Sequence, residues 1–177
     1  IFIGAFRFTG KTKNELVLAA RLLLVNFKPE NRNLMLLQEP VKEYKLPVLE
    51  RCDLEDAFDE IEILSFPVSC SPFDLLKTTY RGDVMAKDLL IHHKKQVKML
   101  AYLVSTKQVP TKLGTMYFGT WIDAKGEYFD TAHFANSLVN YPFKGGGCYL
   151  LLGIVEVDFH FPTLTISKME KMPFIPD

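Results

Sequence analysis

The chain has 177 residues, enough for one domain or two small ones, and its 48% hydrophobic content is ample for a packed core. Its 21 basic residues balance 21 acidic ones, so the formal net charge is zero. That balance argues against a general polyanion binder, which needs a basic excess to release counterions, but it leaves room for a local basic face. Ile1–Phe8 is apolar, and Thr9-Gly10-Lys11 reads as a turn. Thr12 to Glu15 has the spacing of a capping box, in which the Thr hydroxyl takes a backbone N–H and the Glu reaches back. The helix it opens carries Leu16, Val17, Ala20, Leu23 and Leu24 on one face and should end near Asn26, before Lys28-Pro29. Residues 31–50 show no helical or strand period and read as an extended linker, with an apolar patch at Leu34-Met35-Leu36-Leu37. Such a patch either docks on a neighbouring domain or serves as a peptide motif for a partner. Asp53 is expected to cap a second helix, with Leu54, Ala57, Phe58, Ile61 and Leu64 on one stripe. The acids Glu55, Asp56, Asp59 and Glu60 fall mostly elsewhere, near the N-terminal half where the helix dipole favours them. Phe66-Pro67 and Ser71-Pro72 end it, and Val84–Leu90 leads onward.

From Gln96 the pattern changes. Five runs favour strands: Gln96–Thr106, Thr115–Asp123, Glu127–Phe134, Gly147–Phe159 and Pro162–Lys171. Ala135–Pro142, between the third and fourth, reads as a short helix or irregular loop. Strands at this spacing with one helical insert suggest a five-stranded Greek-key barrel of the OB type. The fold class expected is therefore α+β: a helical segment (1–30), a linker (31–50), a helical connector (51–93) and an OB-type barrel (94–173). The first strand is apolar on both faces, so one of them is expected to meet the preceding helices.

Little in the sequence points to catalysis or metal. His92-His93 has no third ligand nearby, no G-x-S-x-G occurs, and Lys144-Gly145-Gly146-Gly147 lacks phosphate-loop spacing and precedes a strand. Asp123, Glu127 and Asp130 around one turn read as solvated acids. Cys52, Cys70 and Cys148 are odd in number and widely spaced, fitting neither a disulfide framework nor a zinc site, and a reducing cytoplasm is the simplest setting. No apolar run has the length of a membrane span and none has the pattern of a secretory signal. A chain that starts at Ile1 and ends Pro-Asp reads as a piece of a longer protein.

Several motifs, taken in order, resemble one family. Gly4-Ala5-Phe6, then Gly10-Lys11-Thr12-Lys13 and Glu15-Leu16, is similar to the end of the helix-hairpin-helix region of the DNA polymerase III alpha subunits, the C-family replicative polymerases of bacteria. Glu62 to Phe73 resembles that family's connector, and Met116-Tyr117-Phe118 with Asp123 and Gly126 resembles its OB strand pair. The resemblance covers almost the whole chain and is nearest to the alpha subunits of the Bacteroides group. Ser65 stands where Gly is usual, Ser71 where His is usual, and Ala101 where Gly is common. The resemblance implies a fragment without catalytic residues, the polymerase's three aspartates lying upstream of Ile1. It implies no cofactor in this piece, Mg2+ belonging to the parent polymerase. It implies single-stranded DNA, the sliding clamp and other replisome subunits as partners, the last through parts outside this fragment, in the cytoplasm and with no role for a membrane. It also implies a clamp-binding peptide in the linker, with Asn33 in the position usually held by Gln and Leu36 and Leu37 as the apolar anchors. Trp121 and Phe118 are assigned to the core on the family pattern.

An OB barrel that holds single-stranded DNA pairs stacking aromatics with a groove of Lys and Arg. The aromatic candidates are Tyr102, Tyr117, Tyr128 and Phe129. The basic ones are Lys98, Lys107, Lys112, Lys125 and Lys144, with Lys107 and Lys112 flanking the first hairpin. The competing expectation is that half of these rings are core and the lysines only keep the surface soluble. The barrel then acts solely as a protein–protein module.

Overall fold

The computed structural model describes residues 1–25, 44–47, 49, 53–112 and 114–175, which divide into two units, Ile1–Leu64 and Ser65–Asp177.

In the first unit the capping box forms as its residue types require. The Thr12 hydroxyl accepts from the Glu15 N–H at 3.2 Å, and the Glu15 carboxylate accepts from the Thr12 N–H at 2.8 Å. Helix α1 (Lys13–Val25) follows, with none of its described residues fully buried; Leu23 and Leu24 are exposed despite their periodic spacing, as is Val25. Helix α2 (Asp53–Leu64) buries Ala57 and Glu60. Here the expectation that the acids lie off the buried stripe fails for Glu60, which is 1% exposed. It sits three residues after Ala57 and so shares its face, and Arg7 supplies the countercharge at 3.2 Å. Lys13 joins α1 to α2 through Asp59, with Glu55 and Asp56 each at 3.5 Å. Burial pulls the Lys13 ammonium down, but the Asp59 hydrogen bond and the charges of Asp59, Glu55 and Asp56 outweigh it and hold its pKa above the ordinary value.

The second unit holds five strands: β1 (Gln96–Thr111), β2 (Gly114–Asp123), β3 (Tyr128–His133), β4 (Cys148–Asp158) and β5 (Phe161–Lys171). Helix α3 (Ala135–Asn140) lies between β3 and β4, inside the stretch expected to be helix or loop. β1 runs five residues past its expected end. Beyond Tyr102 it pairs with β2 and no longer with β4, and on such a free edge Pro110 removes no needed donor. The strands close in the order β1-β2-β3-β5-β4, antiparallel throughout except for β3 with β5. With a helix between the third and fourth strands, this is the OB fold.

The interior is apolar and aromatic. Val97, Met99 and Ala101 of β1 meet Trp121, Phe129, Tyr149, Leu151, Val155, Leu164, Ile166 and Met169. Ala86 and Leu89, from a 3-10 helix at Ala86–His92, join this core, and Leu138, Tyr141 and Phe143 pack on it from α3 and the segment after it. The Trp121 ring N–H donates to the Thr131 hydroxyl at 2.7 Å, over Gly119, where a Cβ would come within 2.6 Å of the indole nitrogen. His133 lies 2.7 Å from the same hydroxyl through Nε2, while its buried Nδ1 has no partner among the described residues. Burial pushes this imidazole down to about 4. β4 passes so close to β5 that a Cβ on Gly153 would lie 2.4 Å from the Thr165 carbonyl oxygen.

A second cluster covers the outside of β1 and β4. Leu100 and Cys148 pack there against Phe73 and Leu76, with Tyr102, Leu150 and Phe174 around them. The doubly apolar first strand thus meets Phe73 and Leu76 of the connector together with the C-terminal Phe174, which bridges to Leu76. Burial pushes the Cys148 thiol up to about 12. Asp123 is a correction to the sequence reading: it is 1% exposed and not a solvated turn acid. Its carboxylate accepts from the backbone N–H groups of Ala86, Lys125 and Glu127, pinning the 3-10 helix to the β2–β3 turn. The Gly145–Gly147 turn is also tied, because the Tyr149 hydroxyl donates to the Gly145 carbonyl and accepts from the Lys144 N–H.

Candidate nucleic-acid interface

Strand parity sorts the candidate rings. Side chains alternate across a strand, so residues an odd number apart point to opposite faces. Phe118 and Trp121 are three apart and cannot both be core on a regular β2. Trp121 is fully buried, and Phe118 stands outside at 40% exposure, correcting its assignment to the core. Tyr128 and Phe129 are neighbours, so one faces each way: Tyr128 is 66% exposed, and Phe129 is buried in the barrel, which removes it as a stacking ring. Tyr117 shares the inward parity of Trp121 and is partly buried, its ring centroid 5.7 Å from that of Phe143. Tyr102 faces outward but is taken up by the second cluster, and its hydroxyl donates to the Ser65 carbonyl at 3.1 Å. Burial, and then the neighbouring Cys148, raise its phenol pKa.

The lysines divide in the same way. Lys98 lies at the other end of β1, opposite Leu152 of β4, with its ammonium 5.1 Å from the centre of the Tyr80 ring. Lys144 precedes β4 and pairs with Glu170 at 2.8 Å. Lys125 is exposed in the β2–β3 turn. Lys107 does come to one face with Tyr128, the outer face of β1–β2–β3, and Lys112 sits in the β1–β2 turn at its end. A bulge decides this for Lys107. Up to Leu103 the odd-numbered residues of β1 face inward, but the register shifts between Leu103 and Ser105, and from there Ser105 and Lys107 face out beside Thr120 and Phe118.

Cross-strand register lays this face out in rows. Ile122 stands between Tyr102 and Tyr128; Thr120 between Ser105 and Asp130, with Thr163 beyond; Phe118 between Lys107 and Ala132, with Thr165 beyond. A concavity of about 390 Å³ lies over the middle rows, lined by Ser105, Lys107, Phe118, Thr120, Asp130 and Thr163. A hollow of about 500 Å³ lies toward the hairpin tip, lined by Lys112, Met116, Phe134 and their neighbours. Lys107 has no ion-pair partner among the described residues. Asp130 accepts from the Thr120 hydroxyl at 2.8 Å, and Glu156 pairs across from Thr163, so the face carries both signs of charge.

Sequence reasoning did not single out Phe118, Phe134, Phe159 or Phe161 as surface rings, and all four are exposed. Strict alternation from Trp121 was the available signal for Phe118. The β4–β5 hairpin turns at Phe159 and His160, both with positive φ (51° and 70°), where hairpins favour Asn and Gly. Phe159 is 94% exposed at that tip. The candidate clamp residues Asn33, Leu36 and Leu37 lie outside the described residues. Among the described residues no three His, Cys, Asp or Glu side chains gather to hold a metal, and no helix is long and apolar enough to cross a membrane.

No family model matches the chain. No curated protein matches it either. Solved structures do. An OBody bound to hen egg-white lysozyme aligns at 11% identity and a TM-score of 0.42, over 56% of this chain and 99% of that one. A putative nucleic acid-binding lipoprotein from Klebsiella pneumoniae aligns at 16% identity and 0.37, over 50% of this chain and 77% of the other. The second OB-fold domain of replication protein A from Methanococcus maripaludis aligns at 15% identity and 0.32, over 48% of this chain and 88% of that domain. At these scores they carry no functional argument, and the strand order of the barrel is what identifies its fold.

Proposed function

We propose that the barrel is a single-stranded nucleic-acid-binding module using the outer face of β1–β2–β3, and that it is the OB domain of a C-family replicative polymerase. The observation that carries the binding reading is the grouping of exposed Phe118 and Tyr128 with Lys107, which has no ion pair among the described residues, on one sheet face, with Lys112 at the hairpin tip. Aromatic faces accept any base by stacking, and lysines follow the phosphates. The polymerase reading rests on the family resemblance of the motifs from Gly4 to Gly126. In that setting the domain has no chemistry of its own: it positions template, and a Leu36–Leu37 peptide tethers the enzyme to its clamp by raising the local concentration at the primer end.

Fluorescence anisotropy with labelled oligothymidylate tests the binding reading. The expected result is salt-dependent binding at micromolar protein that Phe118→Ala and Tyr128→Ala each weaken by about tenfold. Absence of binding at low salt sinks it. The second reading, a barrel used only for protein contact, is favoured by Asp130 and Glu156 on the same face, and it predicts that absence. Capture on the cognate clamp tests the tether. Equal retention of the wild type and the Leu36→Ala/Leu37→Ala variant eliminates it.

A further inference from the structure

Resting on the reading of this face as a single-strand site, we propose that Asp130 gives it a preference for guanine. A carboxylate in the middle of a nucleic-acid face repels phosphates, so the backbone must pass elsewhere, along Lys107 and Lys112. What remains for Asp130 is the edge of a base. The side chain is exposed yet held: the Thr120 hydroxyl donates to Oδ1 at 2.8 Å, directly across the β2–β3 ladder. It forms no ion pair among the described residues. Phe118 is its diagonal neighbour on β2, and Tyr128 is two residues away on its own strand, each roughly 7 Å off. A base stacked on either ring turns an edge toward this carboxylate.

The chemistry of the edges then selects. An ionised carboxylate only accepts hydrogen bonds, and it offers two oxygens side by side with lone pairs to spare beyond the one Thr120 uses. On its pairing edge guanine has two adjacent donors, the N1 imino and the N2 amino groups. Cytosine and adenine each set one amino group beside a ring nitrogen that accepts, and thymine sets one imino group between two carbonyls. Each of these three brings a lone pair up to a carboxylate oxygen, and guanine alone brings none. Thr120 is a positioning residue here, fixing the plane of the carboxylate.

Anisotropy with the whole chain and labelled thymidylate strands of about twelve nucleotides tests this, each strand carrying a single central substitution. The guanine strand is expected to bind about tenfold more tightly than the thymine, cytosine or adenine strands. Hypoxanthine, which lacks the 2-amino group, should fall between them. Asp130→Asn should abolish the preference, so that strands with a central guanine, thymine, cytosine or adenine bind it equally, and Thr120→Val should reduce the preference. Equal affinity for all the bases, or a guanine preference that survives in Asp130→Asn, overturns the proposal and leaves single-strand binding standing. Failure of every strand to bind overturns both.

Discussion

The two units are held together by different forces. In Ile1–Leu64 charged side chains meet counterions across the described elements: Lys13 with three acids of α2, and Arg7 with Glu60. Its described apolar side chains contribute little burial, since Phe8, Leu24 and Val25 are exposed and Ala57 is the one hydrophobic residue there that is buried. In Ser65–Asp177 the order is reversed. A closed barrel buries Trp121, Tyr149 and Leu151, and the polar side chains Asp123, Thr131 and His133 inside it are bound to backbone, to Trp121 or to one another, His133 Nδ1 excepted among the described residues. A periodic apolar stripe can therefore be written into a helix that fully buries none of its described residues, whereas alternation in a closed barrel must be cashed in as core.

The sharpest test of this contrast is Trp121→Ala. It removes the largest buried side chain of the barrel and leaves the Thr131 hydroxyl without its donor, and it should cost about 4 kcal/mol by urea denaturation. A loss below about 1 kcal/mol would show that the barrel core is not what holds the second unit.

Next in size is a pH effect confined to the barrel. His133 titrates at about 4 in the fold against an ordinary 6.5, so between these values the unfolded chain binds more protons than the folded one. Stability should thus be full above about 6.5 and fall by up to about 3 kcal/mol as pH drops to 4. His133→Gln should flatten that slope, and an unchanged slope assigns it to other groups. Gly153→Ala comes third. Its methyl group meets the Thr165 carbonyl, and the strands must part to admit it, at about 2 kcal/mol. Amide exchange should show the loss concentrated on β4 and β5.

The smallest effect separates the units most cleanly. Salt near 1 M weakens the pairs that water reaches, Lys13 with Glu55 above all, so amides of α1 and α2 should lose a little protection while those of β1 and β4 keep or gain it. Lys13→Met should reproduce the change in low salt, at about 1 kcal/mol. Because the Lys13 pKa is raised in the fold, its contribution is complete below 10.5 and is lost only as pH climbs through the folded value. Equal responses of the two units to salt would erase the distinction.

Much of the architecture is legible in the amino-acid sequence. The capping box, both long helices, the five strands and the helical insert depend on residues two, three or four apart, and local energetics decide them. The candidate face was legible only in part. Tyr128 and Lys107 were named and do share a face, and Lys112 lies in the turn at its end. Lys98, Tyr102, Tyr117 and Lys144 were named with them and lie elsewhere or are engaged in packing, because composition marks a ring or a lysine without saying which way it points.

By itself the sequence determined where strands and helices begin, which turns join them, and that the strands make an OB barrel. Those are matters of period and punctuation. The tertiary structure alone decided which aromatics and acids are free to meet a partner. A single extra residue at the Leu103/Ser105 irregularity moves Lys107 from the inner set of β1 to the outer one. Phe73 and Leu76 cover Tyr102, and three backbone N–H groups enclose Asp123. Each of these outcomes depends on which strand lies opposite, and a neighbour distant in the chain leaves no mark in the local pattern.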